Sequence, residues 1–354
     1  MQHAARLNAL TVGLDAPLLV SRLSNLRYLI GFTGTNGYLL ARPDGTCVFF
    51  TDGRYAEKAE ELVAGLPAAS LLISGTDMWE GMGELLNDLD RVALESHGVT
   101  WDFAETLREK TGTEPVPTRG LVEELRRAKD KEEVGCLRRA AAAGDAAFGA
   151  LAGLLEQAST EADLAWGLIG VMRDGGADVA DWDPIVAAGP AASLPHYEAA
   201  DQPLGQGLLL LDYGCTVEGY HSDMSRTVWL EGEPDDEMER VYRAVAESQQ
   251  AGIAAVGPGI ACGDVDEAVR QVLRGYGYEE QFVHGTGHGV GLEIHEAPFL
   301  RRGSEEALQV GDVVTVEPGV YLPAVGGVRI EDMVLVGADG SEVLTASPRE
   351  FVLR

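Results

Sequence analysis

The run His284-Gly285-Thr286-Gly287-His288-Gly289-Val290-Gly291-Leu292-Glu293-Ile294-His295-Glu296 is the densest chemical signal in the chain, with three of its seven histidines inside twelve residues. Its four glycines permit unusual backbone dihedrals and close approach to a ligand. A dinucleotide loop does not fit. Gly285-x-Gly287-x-x-x-Gly291 has the wrong spacing, and histidines stand where a pyrophosphate would approach. The histidines also fail to match His-Glu-x-x-His, the spacing that puts two zinc ligands on one helix face.

Acids flank this run on both sides. Downstream, Glu317 interrupts the β-branched pattern begun by Val313-Val314-Thr315-Val316, and Glu331 follows Gly327-Val328-Arg329-Ile330 in a second strand pattern. Upstream, Asp212 ends the buried-strand run Leu208-Leu209-Leu210-Leu211, and Asp223 lies in a second strand-like segment from His221 to Trp229. Antiparallel strands joined this closely can set two carboxylates side by side. A carboxylate beside a buried apolar run needs a cation or strong hydrogen bonds. Four carboxylates with one or more imidazoles suit a pair of first-row divalent ions, and so oxygen-rich a donor set favours Mn²⁺, Mg²⁺ or Fe²⁺ over a thiolate-selected metal. Two such ions lower the pKa of a shared water and polarise a carbonyl. The remaining histidines then serve as oxyanion donors or proton shuttles.

Further outward, each pair of acids closes a unit of two helical stretches and a strand pair. The strand pairs are expected over 208–230 and 313–336, with helices between them at about 236–256 and 263–275. Thr160-Glu161-Ala162-Asp163 reads as an N-cap with an acid at the third position. The charged segment 123–139 reads as one helix with a solvated face, marking a domain boundary. Before it, strand patterns at 16–20, 37–41, 46–51, 71–74 and 92–94 alternate with helical patterns at 55–63 and 101–111. His97 is expected to be structural and His221 a strand residue. The expected organisation is an α/β domain over 1–122 and an α+β catalytic domain over 123–354.

Composition narrows the function classes. Lys and Arg number 27 against 57 Asp and Glu, a net charge of −30, which suits neither nucleic acid nor an anionic membrane surface. Cys47, Cys136, Cys215 and Cys262 are far apart in sequence and read as reduced, buried thiols. No run of 18 apolar residues occurs and no long apolar leader follows the first residues, so the cytoplasm is the expected location.

With these motifs in hand, the sequence resembles the pita-bread metallopeptidases, the family of aminopeptidase P, prolidase and methionine aminopeptidase. The resemblance is carried by Leu211-Asp212-Tyr213-Gly214, Ser222-Asp223-Met224-Ser225-Arg226-Thr227, the His284–Glu296 run, Glu317-Pro318-Gly319-Val320-Tyr321 and Gly327-Val328-Arg329-Ile330-Glu331-Asp332. It extends over nearly the whole chain, since residues 1–122 look like the N-terminal domain of the proline-specific branch. It implies a pita-bread catalytic domain and five metal ligands: Asp212, Asp223, His288, Glu317 and Glu331. Asp223 and Glu331 would bridge two divalent ions, Mn²⁺ first, with Co²⁺, Zn²⁺, Fe²⁺ or Mg²⁺ as alternatives. It also implies catalytic roles for His295, His196 and Glu317. A proline pocket would be lined by His284, with Tyr321 and Arg329 nearby, and His196 matches a further histidine of the proline-specific branch; all four are implied to bind substrate. The implied substrates are peptides with proline at position two, and the implied assembly is a homodimer.

An Xaa-Pro bond has no N–H, so its site needs no acceptor there and can offer a closed apolar slot for the ring. Two activities remain open. A strict dipeptidase (prolidase) needs a cation for the substrate carboxylate. Prolidases tend to place Arg where Phe299 stands, so the expectation is aminopeptidase P, with Arg301 and Arg302 keeping prolidase in play. A non-catalytic interaction protein on the same fold is a remote alternative, which the full ligand set opposes.

Overall fold

Leu208 to Leu211 are apolar without alternation because the strand Gly207–Tyr213 is covered on both faces. Leu209 and Leu211 pack with Ala140, Phe148, Leu164 and Leu168, from the helices Lys131–Gly149 and Glu161–Asp174. Leu208 and Leu210 pack with Val241 and Val245 of the helix Asp236–Ala255. By the same two-residue alternation, Asp212 faces the side of Leu208 and Leu210.

The computed structural model describes residues 2–179 and 182–352. The chain divides into the units Met1–Arg126 and Arg127–Arg354. Glu123 falls in the first unit, past the expected boundary at 122, because its carboxylate accepts from Asn25 Nδ2 at 2.7 Å and lies 3.1 Å from His97 Nε2. That unit is a six-stranded mixed sheet in the order Ala69–Ser74, Cys47–Asp52, Gly37–Ala41, Leu18–Val20, Arg91–Glu95, Glu114–Thr118. Among the described residues, five α-helices precede Glu123.

The second unit carries two antiparallel sheets that matter for the site. One has the order Met224–Leu230, Gly207–Tyr213, Ile185–Ala188. The other has the order Glu296–Leu300, Gly287–Gly289, Val313–Val316, Asp332–Gly337, Gly340–Val343. A hairpin, Gly319–Leu322 with Gly326–Arg329, continues the register of the second sheet. Val316 faces Asp332 and Gly319 faces Arg329, so Glu317 and Glu331 stand opposite one another at the break between the two ladders. Only Asp212 lies within a strand. Asp223, Glu317 and Glu331 sit at strand ends, where leaving the ladder frees the side chain to turn away from the sheet.

Two expectations need correction. The segment 123–139 is not one helix: Glu123–Arg127 ends, and Lys131–Gly149 begins after Asp130. Asp130 caps the second helix through Glu132 N and Glu133 N, with Glu133 reaching back in a capping box. Nor is this a solvated face, since Arg126, Arg127, Lys129 and Glu133 are all buried. The second correction concerns the glycine run. None of Gly285, Gly287, Gly289 and Gly291 has a positive φ. They are small because neighbouring chain is close: a Cβ on Gly287 would strike the Thr315 carbonyl, and one on Gly289 the Ala297 carbonyl.

Candidate metal centre and cleft

Asp223, His288 and Glu331 come together from three segments, each offering a ligand atom within 4.8 Å of the others, and all three are buried. Glu317 Oε1 lies 3.3 Å from His288 Nε2, and Asp223 Oδ2 lies 3.6 Å from the same nitrogen. His288 Nδ1 lies 3.0 Å from the Gly289 carbonyl. That contact fixes the tautomer with the proton on Nδ1 and leaves Nε2 to face the acids, the arrangement usual for a metal-binding imidazole.

The electrostatics of this cluster call for a cation. Burial, then the charge of Asp212, pushes the Asp223 carboxyl well above its usual range. Burial, then Asp223, does the same to Glu331. Burial opposes a charged His288, yet the hydrogen bond and charge of Glu317 and the charge of Asp223 outweigh it and raise its pKa to about 9. Burial likewise opposes a charged Glu317, and His288 overcomes it, lowering that pKa to about 2. Glu331 Oε2 accepts from Ser225 Oγ at 2.7 Å, while Oε1 is buried with no hydrogen-bond partner among the described residues. A buried, unpartnered carboxylate oxygen facing a carboxylate and an imidazole is a donor set that fits a divalent ion.

Arg329 organises the other side. Its guanidinium donates to Asp212 Oδ2, to Ser225 Oγ at 2.9 Å and to Tyr321 Oη at 2.7 Å. Tyr321 in turn lies 2.9 Å from His284 Nε2, and His284 Nδ1 lies 2.8 Å from the Gly285 carbonyl. The proton order that satisfies this chain runs Arg329 to Tyr321 to His284 to Gly285. Burial lowers the His284 pKa and keeps the ring neutral. Both ring nitrogens of His284 are thus engaged. His295 has its pKa lowered by burial and then by His288.

Of the ten candidate catalytic, substrate and metal residues named from the sequence, nine line a single cleft of about 430 Å³. The exception is Tyr321, which is buried outside the cleft lining and bonded to His284 and Arg329. Arg329 lines the cleft, but its hydrogen bonds hold Asp212 and Tyr321 in place.

Residues 135–338 match the model of metallopeptidase family M24, and residues 6–128 match the creatinase/prolidase N-terminal domain. The chain belongs to metallopeptidase family M24. Its catalytic unit has the pita-bread fold of that family, behind an α/β N-terminal domain. An Xaa-Pro dipeptidase from Bacillus anthracis superimposes with a TM-score of 0.93 at 34% identity, over 99% of this chain and 100% of the other. The Xaa-Pro dipeptidase of Pyrococcus furiosus is 31% identical over 327 residues, 91% of each chain. An X-Pro aminopeptidase from Thermotoga maritima superimposes with a TM-score of 0.85 at 30% identity, over 96% of this chain and 97% of the other.

The sequence reading missed several M24 cleft residues. Trp182, Ile185 and Ile294 line the cleft, and Ser225 bridges Glu331 and Arg329, whereas Arg301, which also lines it, is one of the two arginines that keep prolidase in play from the sequence. Ser225 stands opposite Asp212 in the antiparallel ladder of the two acid-bearing strands, a pairing that the sequence alone does not register. Trp182 and Ile185 precede the His196 motif with no chemical signature of their own.

Proposed function

We propose that this chain is a proline-specific metallopeptidase of the dipeptidase type, hydrolysing Xaa-Pro dipeptides. The observation that carries the choice is Arg301. It lines the cleft with its guanidinium 5.7 Å from the Phe299 ring centroid, and it forms no ion pair among the described residues. Arg302, by contrast, is engaged with Glu279 at 2.9 Å. An uncommitted cation beside the cleft suits the free carboxylate of a dipeptide. The similarity to Xaa-Pro dipeptidases along the full chain supports the same reading. It displaces the aminopeptidase P expectation drawn from Phe299.

In this reading Asp212, Asp223, His288, Glu317 and Glu331 hold two divalent ions, with Mn²⁺ the first to test. Bound ions supply Lewis acidity toward the scissile carbonyl and a nucleophile at neutral pH. The protein's own groups do the rest. Arg329 orients Asp212, Ser225 orients Glu331, and the His288–Gly289 contact aims Nε2. His284 presents a ring face to the proline. Neutral His295 donates a hydrogen bond where negative charge develops on the carbonyl oxygen, and His196, exposed in the cleft lining, is the second histidine available to the substrate. The substrate amine meets the carboxylates. We propose a homodimer, by resemblance, and a cytoplasmic location, which four buried free cysteines support. No helix among the described residues is long and apolar enough to cross a membrane.

The test compares an Xaa-Pro dipeptide with the same peptide extended by two residues, both with Mn²⁺. The dipeptide is expected to be cut and the extended peptide to be nearly inert. Arg301→Met should raise KM for the dipeptide by about 10- to 100-fold with kcat little changed, the loss of one charge-assisted contact. Efficient cleavage of the extended peptide alone would return the assignment to aminopeptidase P.

A further inference from the structure

The charge run Arg126-Arg127-Ala128-Lys129-Asp130 is buried, and one of its members reaches the loop that carries His295. Lys129 Nζ donates to Glu296 Oε1 at 2.8 Å, with side-chain exposures of 1% and 7%. Lysine is rarely buried this deeply unless paired, and removing one partner of such a pair leaves an uncompensated charge. The chain around Lys129 is itself fixed. Lys129 N–H donates to the Gly311 carbonyl at 2.9 Å, and Arg127 grips Asp312 with two hydrogen bonds of 3.0 and 2.9 Å.

At the other end of the pair, residues 291–296 wrap around the Glu296 carboxylate. Glu296 Oε2 accepts from Glu293 N–H at 3.3 Å. Gly291 N–H donates to the Glu293 carbonyl at 3.1 Å, and the Gly291 carbonyl accepts from His221 N–H at 2.8 Å. A Cβ on Gly291 would strike the Glu296 carboxylate. Ile294 and His295 of this loop line the cleft. The His295 ring lies 4.3 Å from the His288 ring and makes no hydrogen bond of its own among the described residues. Its location therefore depends on its backbone, and the next residue along that backbone is the one Lys129 holds.

We infer that Lys129 is a positioning residue for His295, acting through Glu296. A buried ammonium on the rigid stretch 127–130 locates the Glu296 carboxylate, and the carboxylate sets the loop from which His295 projects. This deepens the peptidase reading and rests on His295 working at the substrate.

Two measurements test it on the metal-loaded protein. In the first, Lys129→Met and Glu296→Gln are each made with His295 intact and in a His295→Ala background. Each is expected to lower kcat by about 10- to 100-fold in the first case, the usual cost of misplacing a group by about 1 Å. Neither should lower it further in the second. In the second measurement, the protein is labelled at histidine Cε1 and loaded with diamagnetic Zn²⁺. The His295 resonance, assigned by its loss in His295→Ala, should shift or broaden in Lys129→Met while those of His196 and His284 stay in place. Glu296→Gln keeps the side-chain shape and serves if Lys129→Met does not fold. An unmoved His295 resonance, with rate losses that multiply across the two backgrounds, overturns the inference. If His295→Ala leaves kcat unchanged, the catalytic reading of His295 fails instead, and the resonance alone decides whether Lys129 places the ring.

Discussion

Arg329 shows how a residue read from sequence can be right in place and incomplete in role. The sequence put it beside a proline pocket, yet its guanidinium is occupied by Asp212, Ser225 and Tyr321. It therefore serves the proposed metal ligand Asp212 directly and His284 through Tyr321. Arg329→Lys keeps the charge but loses the planar fork that holds three partners at once. Metal affinity is expected to fall on the order of 10- to 100-fold, as for other groups that orient a ligand from behind. Titration calorimetry with Mn²⁺ checks this, and an unchanged affinity would remove Arg329 from the metal site. The four acids and the histidine run were legible because carboxylates and imidazoles stand out beside apolar strands, whereas His196, Tyr321 and Arg329 were singled out only by the family resemblance. Their hydrogen-bond order was not legible, since Tyr321 could equally have lined the cleft, and only the fold puts it behind His284.

At the scale of the element, the strands and helices were legible and their interruptions were not. A continuous apolar run marks Gly207–Tyr213 and a helical period marks Asp236–Ala255, because one is covered on both faces and the other on one. The break at Ala128-Lys129-Asp130 escaped notice because its charges were read as polarity. The spacing Asp130-x-x-Glu133 is a capping signal and could have announced a new helix. The glycine strand Gly287–Gly289 was read as open to a ligand, whereas it is closed against its neighbours. A methyl group on Gly287 must push back the Thr315 backbone, in the strand that leads into Glu317. Gly287→Ala is therefore expected to destabilise the protein by about 1–3 kcal/mol, the range for overpacking. A lower midpoint in urea with an unchanged slope is the expected result, and wild-type stability would restore the open-loop reading.

At the scale of the whole molecule, the buried acids tie stability to metal and to pH. Asp223 and Glu331 have folded-state pKa values raised above their unfolded ones. Without metal, the folded state then holds more protons than the unfolded state, and stability falls as pH rises through that window. A divalent ion takes the place of those protons, so its stabilising effect grows as the pH rises. His288 acts in the same direction. Raised to about 9, it contributes stability to the metal-free protein that is complete below its unfolded value near 6.5 and is lost as pH climbs through 9. Glu317, held at about 2, acts the other way: its stability contribution is present above its unfolded value of about 4.3 and is lost as pH falls toward 2, mostly below the window from pH 5 to 8. Metal at about 100 times its dissociation constant should stabilise by about 2.7 kcal/mol, a Tm gain of roughly 5–10 °C for a unit of this size. That gain is expected at pH 8 and should shrink to less than half at pH 5. Calorimetric scans with Mn²⁺ and with chelator, at both pH values, measure it. A gain that is flat or larger at pH 5 would mean that these carboxylates are not the groups the metal engages. The proposed ligands come from segments of both sheets of the catalytic unit, so the transition that shifts should be the unfolding of that unit as a whole.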